Sequence, residues 1–233
     1  MIEPVALEHL RTTLAPLRGE RTDRSDLAAM PLRVAAVDGG FEVLDGFKRL
    51  ARWREEGRRT VPVVVEGVQT PSAMKARLLE ANTPRRTSSP MDEARVVHSL
   101  CEEDHLSEAA VGKLLGRMPL WVARRLSLAR RLAPELCARL DRGRLSLTVA
   151  LGLCGFPAAE QKRLEQAASR HALTSREAEA FLATWRAAAD GGTREALLRD
   201  PRSATATRAE QGGSPRRRAT PSTRPALRTS GNS

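Results

Sequence analysis

Residues 106–129 read LSEAAVGKLLGRMPLWVARRLSLA, and no other stretch restricts the fold as much. Gly112 is followed four positions later by Gly116, and six after that by Val122. Two helices that cross at close range need a small residue at the crossing and a glycine to make the turn. They also need an aliphatic side chain that buries the second helix. Ala109, Leu115 and Leu126 are expected to complete the core face. Arg117 opens the turn, and Pro119 suits the first turn of the second helix, where a missing N–H costs nothing. This is the spacing of a DNA-reading helix-turn-helix, and an ordinary helical hairpin is the competing reading.

The exposed start of the second helix would then face bases with Met118, Pro119, Leu120, Ala123 and Arg124. That set is oddly apolar, because base edges are usually read by Arg, Asn, Gln or Ser. Only Arg124, with Arg117 beside it, offers a guanidinium fork. Trp121 has three options: pack in the core, stack, or touch a thymine methyl. Arg125, Arg130 and Arg131, with Arg142 and Arg144 further on, would mainly neutralise phosphates. The candidate DNA-binding residues are therefore Arg117, Met118, Leu120, Trp121, Arg124, Arg125, Arg130 and Arg131. A solvated helix face is the alternative for each arginine alone. DNA binding is better supported than sequence-specific reading.

The charge distribution agrees. The formal net charge is +11, which points to a polyanionic partner, nucleic acid before an acidic membrane surface. Residues 106–145 hold nine Lys and Arg against three acids, and residues 201–233 hold seven Arg against one acid. The rest of the chain is close to balanced. Glu3 and Glu8 interrupt any apolar leader, and no run approaches the roughly 18 apolar residues a membrane span needs. The expectation is a cytoplasmic protein with no membrane partner. Three cysteines (Cys101, Cys137, Cys154) stand far apart with no metal-ligand spacing, so buried free thiols are expected. His9, His98, His105 and His171 are scattered, and no metal site is expected.

The chain divides by pattern. PLRVAAVDGGFEVLDG places two apolar runs around Asp38-Gly39-Gly40, a hairpin signal. Residues 47–56 read as a helix with Leu50 and Trp53 on one face, residues 60–67 as a buried strand, and residues 71–82 as a second helix. VALEHLRTTL, before them, reads as a strand passing into a helix. From Pro90 only helical patterns appear. Ser107 can cap one helix and Thr174 can open another with Glu177 in a capping box. After Gly191-Gly192 a short helix is expected at REALL (194–198), and beyond residue 200 almost nothing is apolar, so disorder is expected there. The predicted fold class is α+β: a small N-terminal domain over 1–87, an all-helical domain with the helix-turn-helix over 88–190, and a disordered basic tail over 191–233.

VLDGFKRLARWREEG (43–57) breaks from a strand into a helix at Gly46, with Lys48 and Arg49 in the first turn. A glycine beside two cations at a helix start can cradle a phosphate, or it can be a solvated helix start. Both readings stand on the residues alone.

Taken in order, VLDGFKRLARWREEG with VPVVV, then NTPRRTSSPMDEA, then the helix-turn-helix and GRLSLTVALGL, resemble the ParB family of plasmid and chromosome partition proteins. The resemblance spans roughly residues 1–185, and its N-terminal part looks like the ParB/sulfiredoxin-like domain. It implies CTP, with Mg, as a ligand. The family's Gly-Glu-Arg-Arg motif falls on Gly46, Phe47, Lys48 and Arg49, and its Glu-Asn-x-Gln-Arg motif on Ala81, Asn82, Thr83, Pro84 and Arg85. The implied nucleotide-binding residues are Gly46, Lys48, Arg49, Asn82 and Arg85. Phe47 and Ala81 replace the two acids, and the second is linked to turnover in the family, so weak or absent CTP hydrolysis and no catalytic residue are expected. The resemblance implies DNA as partner, a partition ATPase as a second one, and a nucleoid-associated role in partition or in a related mobile-element regulator. The family's C-terminal dimerisation domain has no counterpart in the basic tail, so a homodimer would need another route. The alternative function is a nucleotide-using enzyme of the same fold, a CTPase or a small-molecule kinase. A sulfiredoxin-like enzyme would need a cysteine where Phe47 stands.

Overall fold

The computed structural model describes residues 1–19, 30–68, 70–82 and 88–204. Among these residues five strands form one sheet: β1 (Ile2–Ala6), β2 (Leu10–Arg11), β3 (Leu32–Val37), β4 (Gly40–Asp45) and β5 (Thr60–Glu66), in the order β1-β5-β3-β4-β2. β3 and β4 form the expected hairpin, with Val37 opposite Gly40 across Asp38-Gly39. β5 runs parallel to β3 and antiparallel to β1, and β2 runs parallel to β4. The segment expected to pass from strand into helix instead makes β1, a short 3-10 turn at Leu7–His9, and β2. Pairing with β5 and β4 supplies backbone partners that this short segment could not supply itself.

Both faces of the sheet are covered. Helix α1 (Phe47–Glu55) lays Leu50 and Trp53 over Val5, Val34, Val43, Val61 and Val63 on one face. Helix α2 (Pro71–Asn82) brings Met74, Leu78 and Leu79 to Ala35 and Leu44 on the other. Alternation along each strand therefore serves two cores.

Helix α3 (Pro90–Glu102) adds Val96, Val97 and Leu100 to that second core, and Val111, Val122 and Leu126 of the helix-turn-helix extend it. The expected boundary at 87/88 falls beside residues outside the description, yet one apolar core runs across it. Asp92 is fully buried at the start of α3. It forms a capping box with Ser89, accepts from the Gly19 N–H at 2.6 Å, and pairs with Arg18 and Arg95, each at 3.3 Å. Arg95 also pairs with Asp141. Lys75 of α2 is buried against Asp104 at 2.7 Å and Glu103 at 3.0 Å. These contacts tie the N-terminal segment and α2 to the helical part.

After α4 (Glu108–Leu115) and α5 (Pro119–Arg131) come α6 (Pro134–Asp141), α7 (Leu147–Leu153), α8 (Ala158–Arg170), α9 (Ser175–Ala187) and α10 (Gly191–Arg199). The predicted caps form: Ser107 accepts from the Ala110 N–H, and Thr174 with Glu177 makes a capping box. Buried Gln161 holds three backbone groups, accepting from Ala133 N–H and donating to the carbonyls of Arg131 and Phe156. The tail expected to be disordered from residue 191 starts too early. Asp190 caps α10 through the Thr193 N–H at 2.7 Å, and Leu197 and Ala204 are buried in the helical core. Two apolar side chains and one cap suffice where the neighbouring helices supply the rest of the interface. Residues 205–233 lie outside the described residues.

Candidate nucleic-acid interface

The crossing of α4 and α5 is built as its spacing demands. A Cβ on Gly112 would stand 2.9 Å from the Arg117 carbonyl oxygen, so only glycine lets the helices approach. Gly116 takes φ +61° at the end of α4, and the Arg117 N–H returns to the Gly112 carbonyl at 2.8 Å, closing the helix end. Val122 and Leu126 are buried and Leu115 partly so. Ala109 departs from expectation. It is exposed, and Val111 takes the inward position, because the helix turns its 108–109 edge to solvent.

The first turn of α5 projects outward. Met118 is 75% exposed and Leu120 62%, and Pro119, Ala123 and Arg124 are exposed with them. Trp121 is half-buried between two guanidinium groups, Arg117 at 5.2 Å and Arg125 at 4.9 Å from the ring centroid. It therefore both packs and stacks.

The candidate arginines separate into two kinds. Arg117, Arg124 and Arg131 are exposed. Arg130 is exposed but pairs with Glu102 at 2.6 Å. Arg125 does not face outward: it is buried and pairs with Glu93 of α3, at 2.7 Å through Nε and 2.6 Å through the terminal nitrogen. Its expected phosphate role is replaced by a structural one, because its position on α5 turns it toward α3. Its signal was long-range and had no local trace. Alongside Arg124 runs a groove of about 720 Å³, lined also by Ser127, Thr148, Glu179 and Arg186. None of these flanking residues was singled out from sequence.

At the proposed nucleotide motif, Gly46 opens α1 with φ +102°, and a Cβ there would stand 2.5 Å from Leu32. Among the described residues no side chain caps that helix start. Lys48 is exposed. Arg49 turns inward, donating to Asp45 at 3.0 Å and to the Met30 carbonyl at 3.1 Å. The four-residue spacing of Asp45 and Arg49 could have revealed that pair. Phe47, in the place of an acid, packs between the two sheet cores. Ala81 is buried on α2. The Asn82 side chain and Arg85 lie outside the described residues.

Cys154 is buried and Cys101 and Cys137 half-buried, and burial pushes all three thiols above their ordinary range. Among the described residues no group of three or more His, Cys, Asp or Glu could hold a metal ion, and no helix is long and apolar enough to cross a membrane.

Comparison with known proteins places this geometry. Residues 87–187 match the ParB HTH domain. The chain is 26% identical over 185 residues to a probable chromosome-partitioning protein ParB from Pseudomonas putida, covering 79% of this chain and 60% of that protein. It is 24% identical over 155 residues to the Coxiella burnetii protein so described, covering 66% and 53%. The chain thus spans little more than half the length of these relatives. The solved N-domain of a pNOB8-like ParB has the same fold, with a TM-score of 0.51 at 14% identity, covering 91% of this chain and 96% of that one. Residues 87–187 thus carry the ParB HTH domain, and the chain as a whole is similar to chromosome-partitioning ParB proteins in sequence and to a ParB N-domain in fold.

Proposed function

We propose that the chain binds DNA through α4 and α5 and acts in plasmid or chromosome partition, or as a related mobile-element regulator. The observation that carries the reading is the exposed first turn of α5, held out by the Gly112–Val122 crossing and flanked by Arg117 and Arg124. A nucleoid-associated location follows from DNA binding, and the family resemblance extends the proposal to a partition ATPase as partner and to self-association. The test is fluorescence anisotropy on a mixed-sequence duplex at moderate salt. Arg117→Ala with Arg124→Ala should weaken binding about ten-fold or more, and unchanged affinity rejects the interface.

CTP with Mg belongs to the same proposal in a reduced form. The uncapped start of α1 at Gly46 suits an anion, with exposed Lys48 in its first turn. Arg49 is committed to Asp45 and Phe47 to the core, so these two shape the loop rather than hold a phosphate. When bound, CTP would bring a triphosphate to this helix start. Lys48→Ala should then lower CTP affinity by about ten-fold in calorimetry. No heat from the parent chain removes the nucleotide from the proposal. The enzyme alternative is not favoured: Ala81 offers no proton donor or acceptor.

A further inference from the structure

We propose that the first turn of α5 recognises thymine-containing duplex DNA by apolar contact with the thymine 5-methyl group, through Met118 and Leu120. This rests on the DNA-binding reading above and adds to it the chemistry of base recognition.

Apart from Met1 and Ile2, Met118 and Leu120 are the most exposed large apolar side chains among the described residues. Both stand at the outward end of the second helix of the motif, where base edges are met. The polar groups that could read bases by hydrogen bonds are placed elsewhere. Arg125 is bound to Glu93 inside the fold. Arg117 is stacked on Trp121 at the turn. Arg124 stands one turn further along and lines the groove toward Thr148 and Arg186. Residues 118–124 contain no Asn, Gln or Ser. The tip itself presents a thioether and an aliphatic branch.

In the major groove the thymine methyl is the one apolar feature of the four base pairs. A flexible thioether and a leucine complement it without a fixed hydrogen-bond geometry. The flanking cations Lys113, Arg117 and Arg124 are exposed and match phosphates on either side. That charge complement favours DNA over an apolar protein partner as the occupant of this tip.

The test uses the full chain and alternating d(AT) and d(AU) duplexes of equal length, which differ only in the 5-methyl groups. Anisotropy should show d(AT) bound about five-fold tighter than d(AU). Met118→Ala with Leu120→Ala should erase the difference between the two duplexes, and circular dichroism melting should be unchanged because both side chains are exposed. Arg124→Ala should weaken both duplexes equally. Adding methyls to cytosine in an alternating d(GC) duplex should tighten binding in the parent but not in the double variant. Equal affinity for d(AT) and d(AU) in the parent overturns the methyl readout alone. So does a d(AT) preference that survives the double variant, or a double variant that instead changes the sedimentation coefficient. No binding to any duplex overturns the DNA-binding reading and this inference with it.

Discussion

Two helix starts in this chain look alike in sequence and differ in structure. Each follows a glycine and carries basic residues, Gly46 with Lys48 and Arg49 in one, Gly116 with Arg117 and Arg124 in the other. At α5 the exposed cations remain on the surface while a different arginine, Arg125, satisfies the interior. At α1 the interior claims Arg49 itself, through Asp45 and the Met30 carbonyl. A basic residue beside a glycine is thus an anion contact only if no carboxylate of the same fold reaches it first. Burial decides this, since a guanidinium removed from water must be paired.

The largest expected effect separates the two kinds of arginine on α5. Arg125→Ala leaves Glu93 partly buried without its cation and opens space beneath Trp121, so thermal or urea unfolding should show a loss of about 3 kcal/mol. A variant as stable as the parent would show that Arg125 is not a structural residue. At α1, Gly46→Ala forces a side chain into a left-handed backbone and against Leu32, and about 2 kcal/mol should be lost. DNA affinity should survive at temperatures where the variant stays folded. If affinity falls with stability unchanged, the two starts are not independent. Arg117→Ala with Arg124→Ala should do the reverse, with the roughly ten-fold affinity loss noted above and melting shifted by less than about 2 °C. The smallest effect concerns the basic segment 205–233. Its deletion should flatten the dependence of DNA affinity on salt concentration, because fewer counterions are released. An unchanged slope removes that segment from the interface.

Much of the fold was legible because its signals are local. The hairpin at Asp38-Gly39, the helix bounds of α2, the caps at Ser107 and Thr174, and the Gly112-Gly116-Val122 spacing all act within a few residues. β1 and β2 were only half legible, since each needs a partner strand far along the chain. Helix α10 was legible only as a short helix at REALL and was assigned to the tail for the same reason: its weak apolar content gains its burial from α8 and α9. At the candidate site the exposed tip of Met118, Leu120 and Arg124 followed from the helix-turn-helix spacing, whereas Ala109 and Arg125 did not face as expected.

The sequence by itself determined where the two helices of the motif cross, because only glycine permits that approach, and it determined that the excess positive charge lies along the motif and the basic segment. Tertiary structure decided which cations stay available. Glu93 lies 32 residues from Arg125, and Asp141 lies 46 from Arg95. No local pattern announces pairs at such separations, which form only when packing brings both groups out of water together.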